Sequence, residues 1–320
     1  MRAHFDVRQS VNHLLARAKS KPKIKTAVVH PCSQDALLGF IGAAREGLIE
    51  PVLVGPRAKI EAAAKAKKLD LSAYTLVDAP HSHAAAAKAV QMAASGEVEA
   101  LMKGSLHTDE LMAEAVRHEN GLRTERRISH AFLIADENYH KPFIVTDAAI
   151  NIAPDLLTKR DIVQNAVDLL TGISETPVIP KVAVLAAVET VNPGMRSTVD
   201  AACLCKMADR GQLTGALVDG PLAFDNAVSK KAAKIKGIKS QVAGDADIFL
   251  TPDLEAGNML AKQFILLGNA AAMGIVLGAR SPIILTSRAD SVEARVGSCA
   301  LAVLMADARR QNRLTFAKGA

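Results

Sequence analysis

With 320 residues the chain can form two ordinary domains, each with its own core, and 49% hydrophobic against 22% charged residues is the balance of a globular protein. Aromatics are 3% and Trp is absent, which argues against base stacking on single-stranded nucleic acid and points to cores of Ala, Val, Leu and Ile. A net charge of +6 suits an anionic ligand but falls short of the clustered basic surface of a nucleic-acid binder.

The four cysteines (Cys32, Cys203, Cys205, Cys299) are scattered without metal-site spacing, so a reducing compartment is expected. The first twenty residues are polar and helical in pattern, unlike a signal peptide, and no apolar run approaches the ~20 residues that span a bilayer. A cytoplasmic protein with no membrane or nucleic-acid partner is the expectation.

Short apolar runs alternate with longer segments of helical period. Strands are predicted at Thr26–His30, Val52–Gly55, Tyr74–Val77, Ala100–Lys103, Ala131–Ala135 and Phe143–Thr146. A second series follows at Val182–Val188, Gly215–Val218, Ile248–Thr251, Gly274–Leu277 and Ile283–Thr286. Between them lie helical segments such as Gln34–Leu48, Ala84–Ala94, Asp109–His118, Lys159–Leu170, Leu254–Leu267 and Ser291–Arg309. This alternation predicts α/β architecture with mostly parallel sheets. Asp136–Pro142 is too short for a crossover helix, so the strands on either side should form an antiparallel hairpin.

Ligands of open α/β sheets bind beyond the carboxyl ends of the strands. Several predicted strands are followed there by polar groups: Lys103-Gly104-Ser105 with Thr108, Thr146-Asp147, Asp219-Gly220-Pro221, Thr251-Pro252-Asp253 and Thr286-Ser287-Arg288-Ala289-Asp290-Ser291. The last is the sharpest. Unpaired N–H groups at a helix start favour an anion, and Arg288 beside Ser287 would add a planar fork of donors. Asp290, with Glu293 three residues on, also fits a helix cap. Lys103-Gly104-Ser105 resembles half a phosphate cradle, although P-loop spacing is absent. Arg123, Arg126 and Arg127 form either a solvated turn or a clamp for nucleotide phosphates. There is no Gly-x-Ser-x-Gly elbow, no Gly-x-Gly-x-x-Gly fingerprint and no adequate metal-ligand set.

Taken in order, Met102-Lys103-Gly104, Asp219-Gly220-Pro221-Leu222 with Asp225-Asn226-Ala227, Gly244-Asp245-Ala246-Asp247, Pro252-Asp253-Leu254-Glu255-Ala256-Gly257-Asn258 and Thr286–Ser291 resemble the phosphate acetyltransferase and phosphate butyryltransferase family. The resemblance runs from about Thr26 to near the end of the chain. It implies a two-domain, three-layer α/β/α fold like that of isopropylmalate dehydrogenase. On this reading residues 1–148 with 296–320 form one domain and 149–295 the other, with the active site in the cleft between them and a homodimer or higher homo-oligomer as the working form.

The resemblance further implies reversible transfer of a short acyl group, acetyl to butyryl, between coenzyme A and inorganic phosphate, with coenzyme A as substrate, no tightly bound cofactor and no metal. Ser287 and Arg288 would contact the reacting acyl phosphate, while thiol activation falls to Asp290, to another group, or to substrate binding that itself favours the thiolate. Lys103, Gly104, Ser105, Thr108, Arg123, Asp147 and Asn258 are expected to bind substrate. The chain departs from the family where an Asp farther along the last helix is proposed to activate the thiol: here the position is Ala294. Two other readings stay open on the sequence, a non-catalytic protein binding coenzyme A or acyl phosphate, and a metal- and nicotinamide-dependent dehydrogenase of the same fold.

Overall fold

A computed structural model describes residues 5–119, 121–286, 290–311 and 313. The chain divides into two compact units, a split unit of Asn12–Arg126 with Met273–Ala320 and a central unit of Arg127–Ala272 with Met1–Val11. The hairpin read into the first domain therefore lies in the central unit, and residues 273–295, read into the second, lie in the split unit. The physical reason for the border at Arg127 is local. Asp161 Oδ2 accepts from the Arg127 N–H at 3.0 Å, and Asn165 Nδ2 donates to the Arg127 carbonyl and to Ser129 Oγ, both at 2.9 Å. These bonds fasten the start of the hairpin to the helix that follows it.

The split unit contains β1 (Ile24–Val29), α2 (Gln34–Arg45), β2 (Ile49–Gly55), α3 (Arg57–Ala66), β3 (Thr75–Asp78), α4 (Ser82–Ala94), β4 (Ala100–Lys103) and α5 (Thr108–Ala115). It is completed by β10 (Ala271–Leu277), which begins two residues before it, β11 (Ile283–Ile284) and α11 (Val292–Arg310); α1 (Val7–Lys19) leads into it. Its strands lie in the order β3-β2-β1-β4-β11-β10. All neighbours are parallel except β10 and β11, which pair antiparallel through Val276 and Ile283. Ala27, Val28, Leu53, Leu101 and Ile283 are buried, as strands covered on both faces require. Helix α11 packs closely on α2: a Cβ at Gly42 would stand 3.1 Å from Val292 Cγ1 and 3.2 Å from Val296 Cγ2. With no side chain at Gly39 and Gly42, the two helices can approach at this face.

The central unit contains β5 (Ser129–Ala135), β6 (Phe143–Thr146), α6 (Leu156–Ile173), β7 (Lys181–Leu185), α7 (Arg196–Asp209), β8 (Leu217–Leu222), α8 (Phe224–Val228), α9 (Lys230–Ile235), β9 (Ile248–Leu250) and α10 (Leu254–Leu266). Strand order is β5-β6-β9-β7-β8, antiparallel only in the β5–β6 hairpin. Its core is mostly Ala, Val, Leu and Ile, with an aromatic cluster inside it. The Phe143 ring meets Tyr139, Phe249 and Phe264 at 5.4, 5.2 and 5.0 Å between centroids, all edge-on. The Tyr139 hydroxyl donates to the Ala246 carbonyl at 2.8 Å.

One expected loop is strand. Asp219-Gly220-Pro221, read as following a strand, lies inside β8, whose pairing with β7 shifts register between Ala183 and Leu185. In this unit β8 pairs only with β7, and a terminal strand with a register shift tolerates proline and polar residues that an interior strand would not.

Candidate active site

In the split unit the chain runs from β1 to the β2 side of the sheet, while β4 lies on β1's other flank. The crevice beyond the carboxyl ends of β1 and β4 is therefore a topological switch point, where ligands of such sheets bind. A cavity of about 270 Å³ opens there, lined by Ser33, Asp35, Gly104, Ser105, Thr286 and Arg295 with Ala36. Ser33 caps α2, its side chain accepting from the Ala36 N–H at 3.3 Å, so the first turn of that helix forms one wall.

The Lys103-Gly104-Ser105 segment forms the second wall by closing onto β1. Gly104 N donates to the Val29 carbonyl and Ser105 N to the His30 carbonyl, both at 2.9 Å. A Cβ on Gly104 would lie 2.4 Å from Val29 O, so only glycine allows this approach. Lys103 is buried. Ser105 Oγ is shielded from solvent with no hydrogen-bond partner among the described residues. His30 turns the chain out of β1 at φ +53°, and burial, reinforced by the nearby Lys59 charge, lowers its pKa below the ordinary imidazole value. Burial, partly countered by Lys59, pushes the Cys32 thiol up to about 11, so it is protonated at neutral pH.

The third wall is the approach to α11. Thr286 and Arg295 are both buried, Arg295 with only 3% of its surface exposed. Arg295 Nη1 donates to Thr286 Oγ1 and its Nε to the Asp290 carbonyl, each at 3.3 Å. Ser287 and Arg288, the sharpest sequence candidates, lie outside the described residues. Asp290 does not cap α11. Ser291 does, its Oγ accepting from the Ala294 N–H at 3.1 Å, which leaves Asp290 one residue ahead of the cap. The capping alternative raised for Asp290 is thereby corrected.

The remaining sequence candidates fall in other places. Thr108 opens α5, directly after His107, whose N–H donates to Glu110 Oε1 at 3.5 Å. Arg123 is exposed and makes no hydrogen bond or ion pair with the described residues. Asp147 and Asn258 meet in the central unit. The buried Asp147 carboxylate accepts from the N–H groups of Ala149, Ile150 and Asn151 at 2.9, 3.1 and 3.2 Å and from Asn151 Nδ2 at 2.6 Å, so it organises its own loop. Asn258 Nδ2 donates to the Ala148 carbonyl at 3.0 Å, and a Cβ at Gly257 would lie 2.2 Å from Asp147 O. The Asp253–Asn258 motif thus caps α10 and seats it on the Asp147 loop.

The Gly244–Asp247 motif sits at the opposite edge of its sheet, before β9. Asp245 accepts from His140 Nε2 at 2.7 Å and Lys181 Nζ at 2.5 Å, and Lys141 lies 3.2 Å away. Burial pushes the Asp245 carboxyl up, but the bonds from Lys181, His140 and Lys141 outweigh it and hold the group well below the usual carboxylate range. This is a structural knot at the amino ends of β6, β7 and β9, tied to the β5–β6 turn.

Sequence reasoning missed Ser33, Asp35 and Arg295. Arg295 left one signal: it is a lone cation at the head of the uncharged, mostly apolar stretch Val296–Ala306, on a helix buried nearly all round. Among the described residues no group of three or more His, Cys, Asp or Glu side chains could hold a metal ion, and no helix is long and apolar enough to cross a membrane.

The phosphate acetyl/butaryl transferase family profile matches residues 82–303. The chain is 61% identical to the phosphate acetyltransferase of Rickettsia felis over 289 residues, covering 90% of this chain and 82% of that one. It is 39% identical to the phosphate butyryltransferase of Clostridium acetobutylicum, covering 93% and 98% of the two chains. The crystal structure of a branched-chain phosphotransacylase from Enterococcus faecalis superposes with a TM-score of 0.77 at 29% identity, over 88% of this chain and 99% of that one. The chain therefore belongs to the phosphate acetyl/butaryl transferase family and is an acyltransferase.

Proposed function

We propose that the protein moves a short acyl group between the thiol of coenzyme A and inorganic phosphate, and that the reacting anion is held at the β1–β4 crevice of the split unit. One observation carries the placement: a single cavity at the switch point collects the buried Arg295 guanidinium, the shielded Ser105 hydroxyl and the tight Gly104 turn. Thr286, which lines the cavity, immediately precedes Ser287 and Arg288 in the sequence.

In the acyl-phosphate-forming direction a phosphate oxygen attacks the thioester carbonyl. The C–S bond breaks, and coenzyme A departs as a thiolate that takes up a proton. Arg288 neutralises phosphate charge and Ser287 donates to the acyl or phosphate oxygen as negative charge develops. Lys103, Gly104, Ser105 and Thr108 contribute the strand-end contacts, and Arg123 serves the nucleotide phosphates of coenzyme A. Asp290, the carboxylate nearest in sequence to the Ser-Arg pair, stands in for the acid replaced by Ala294 as the group assisting thiol ionisation. Asp147 and Asn258 act by shaping the loop beyond β6.

The working form is a homo-oligomer, supported by the exposed apolar residues Met259, Leu266 and Leu267 on and just after α10. A reducing, cytoplasmic setting fits four free cysteines. The test is phosphate-dependent release of free thiol from acetyl-, propionyl- and butyryl-CoA. Release that requires phosphate supports the reading, and release without phosphate or no release refutes it.

A further inference from the structure

We infer that Arg295 is a positioning residue for this reaction, and that Gly39 lacks a side chain in order to make room for it. The inference rests on the proposed acyl transfer and adds a part to its machinery. Arg295 Nη1 reaches Thr286 Oγ1 and Nε reaches the Asp290 carbonyl, so one guanidinium grips the residues on both sides of Ser287–Ala289. Its head also lines the cavity with Ser33, Ser105 and Thr286. A planar cation with donors in fixed directions can hold two backbone-linked groups at a set separation, which the flexible ammonium of lysine does less well.

The helix opposite is built around this side chain. A Cβ on Gly39 would stand 2.5 Å from Arg295 Cδ, inside any real contact distance. The same α2 face carries Gly42 against Val292 and Val296. Arg295 is thus clamped along its stem by α2 and at its head by Thr286 and Asp290. The cavity's other ionisable wall residue, Asp35, is exposed at the rim. An anion drawn into the cavity therefore meets a buried, immobilised positive charge.

The test compares native protein with Arg295→Ala, Arg295→Lys, Gly39→Ala and the Gly39→Ala/Arg295→Ala double variant, measuring kcat and KM for phosphate and for acyl-CoA by thiol release. Arg295→Ala is expected to lower kcat/KM for phosphate by at least about tenfold, with the KM for acyl-CoA nearly unmoved. Arg295→Lys should fall between it and the native protein. Added guanidinium ion should restore part of the Arg295→Ala activity while leaving the native rate unchanged. Gly39→Ala should shift the same parameters in the same direction, and the double variant should be no worse than Arg295→Ala alone, because the side chain that Gly39 accommodates is gone. If Arg295→Ala fails to fold, Arg295→Met keeps the stem without the head and is read in the same way. Native-like phosphate kinetics in the folded Arg295 variant, or a Gly39 penalty that adds in full to it, would overturn the inference. Failure of the acyl-transfer reading would look different, since the native protein itself would then show no phosphate-dependent release.

Discussion

Gly104 rests on the carbonyl of Val29 so closely that a methyl group at its Cα would come within 2.4 Å of that oxygen. The contact locks the end of β4 onto the end of β1 and sets the width of the crevice. Gly104→Ala must push the two strand ends apart. It is expected to lose about 2 kcal/mol or more of unfolding free energy in a denaturant titration, and to raise the KM for phosphate.

The two residues at the start of α11 should separate into structural and chemical effects. Ser291→Ala removes a cap hydrogen bond and should cost about 1 kcal/mol of stability with little change in the pH dependence of turnover. Asp290→Asn should leave the melting temperature closer to native but alter the acidic limb of the pH–rate profile. A lower melting temperature with an unchanged profile would return Asp290 to a purely structural role.

Much of this architecture was legible in the sequence, and the exceptions have physical causes. Ala100–Lys103 and Phe143–Thr146 match β4 and β6 residue for residue, because each is an apolar run with abrupt polar ends, buried throughout. Strand β8 overran its expected end because a terminal strand does not need an apolar face on both sides. The site was legible only where it is local. Lys103-Gly104-Ser105 could be read as a strand-end turn. The pairing of Gly39 with Arg295 joins residues from opposite ends of the chain, and no periodicity reports such a contact. Asp147 has the opposite history: a polar residue after a strand reads as a ligand group, yet its oxygens are taken by its own loop.

Direct transfer, without an acyl-cysteine intermediate, has its own check. Cys32 is the cysteine nearest the cavity in sequence, next to Ser33, and its pKa of about 11 leaves almost no thiolate at neutral pH. Cys32→Ala should therefore retain most of the native turnover, and initial-rate kinetics should show no ping-pong pattern. Cys299, buried and pushed up to about 12 by desolvation, should stay silent to thiol reagents until the protein unfolds.

Asp245 predicts a pH signature in stability. Its folded pKa is depressed, so its contribution is fully present above the ordinary aspartate pKa of about 3.9 and fades as pH falls below that value. Asp245→Asn should cost about 2 kcal/mol near neutrality. The gap between variant and native protein should narrow below about pH 4 in chemical denaturation curves. A gap that stays constant down to pH 3 would show that the knot around His140, Lys141 and Lys181 does not depend on the carboxylate charge.

The central claim, that the reacting phosphate is bound where β11 leads into α11, is tested most directly by thiol-release kinetics of Arg288→Ala at saturating acyl-CoA with phosphate varied. Loss of a charge-assisted bond worth about 2 kcal/mol predicts a fall in kcat/KM for phosphate of roughly thirtyfold, with an unchanged melting temperature. A folded Arg288→Ala enzyme with native phosphate kinetics would contradict the account.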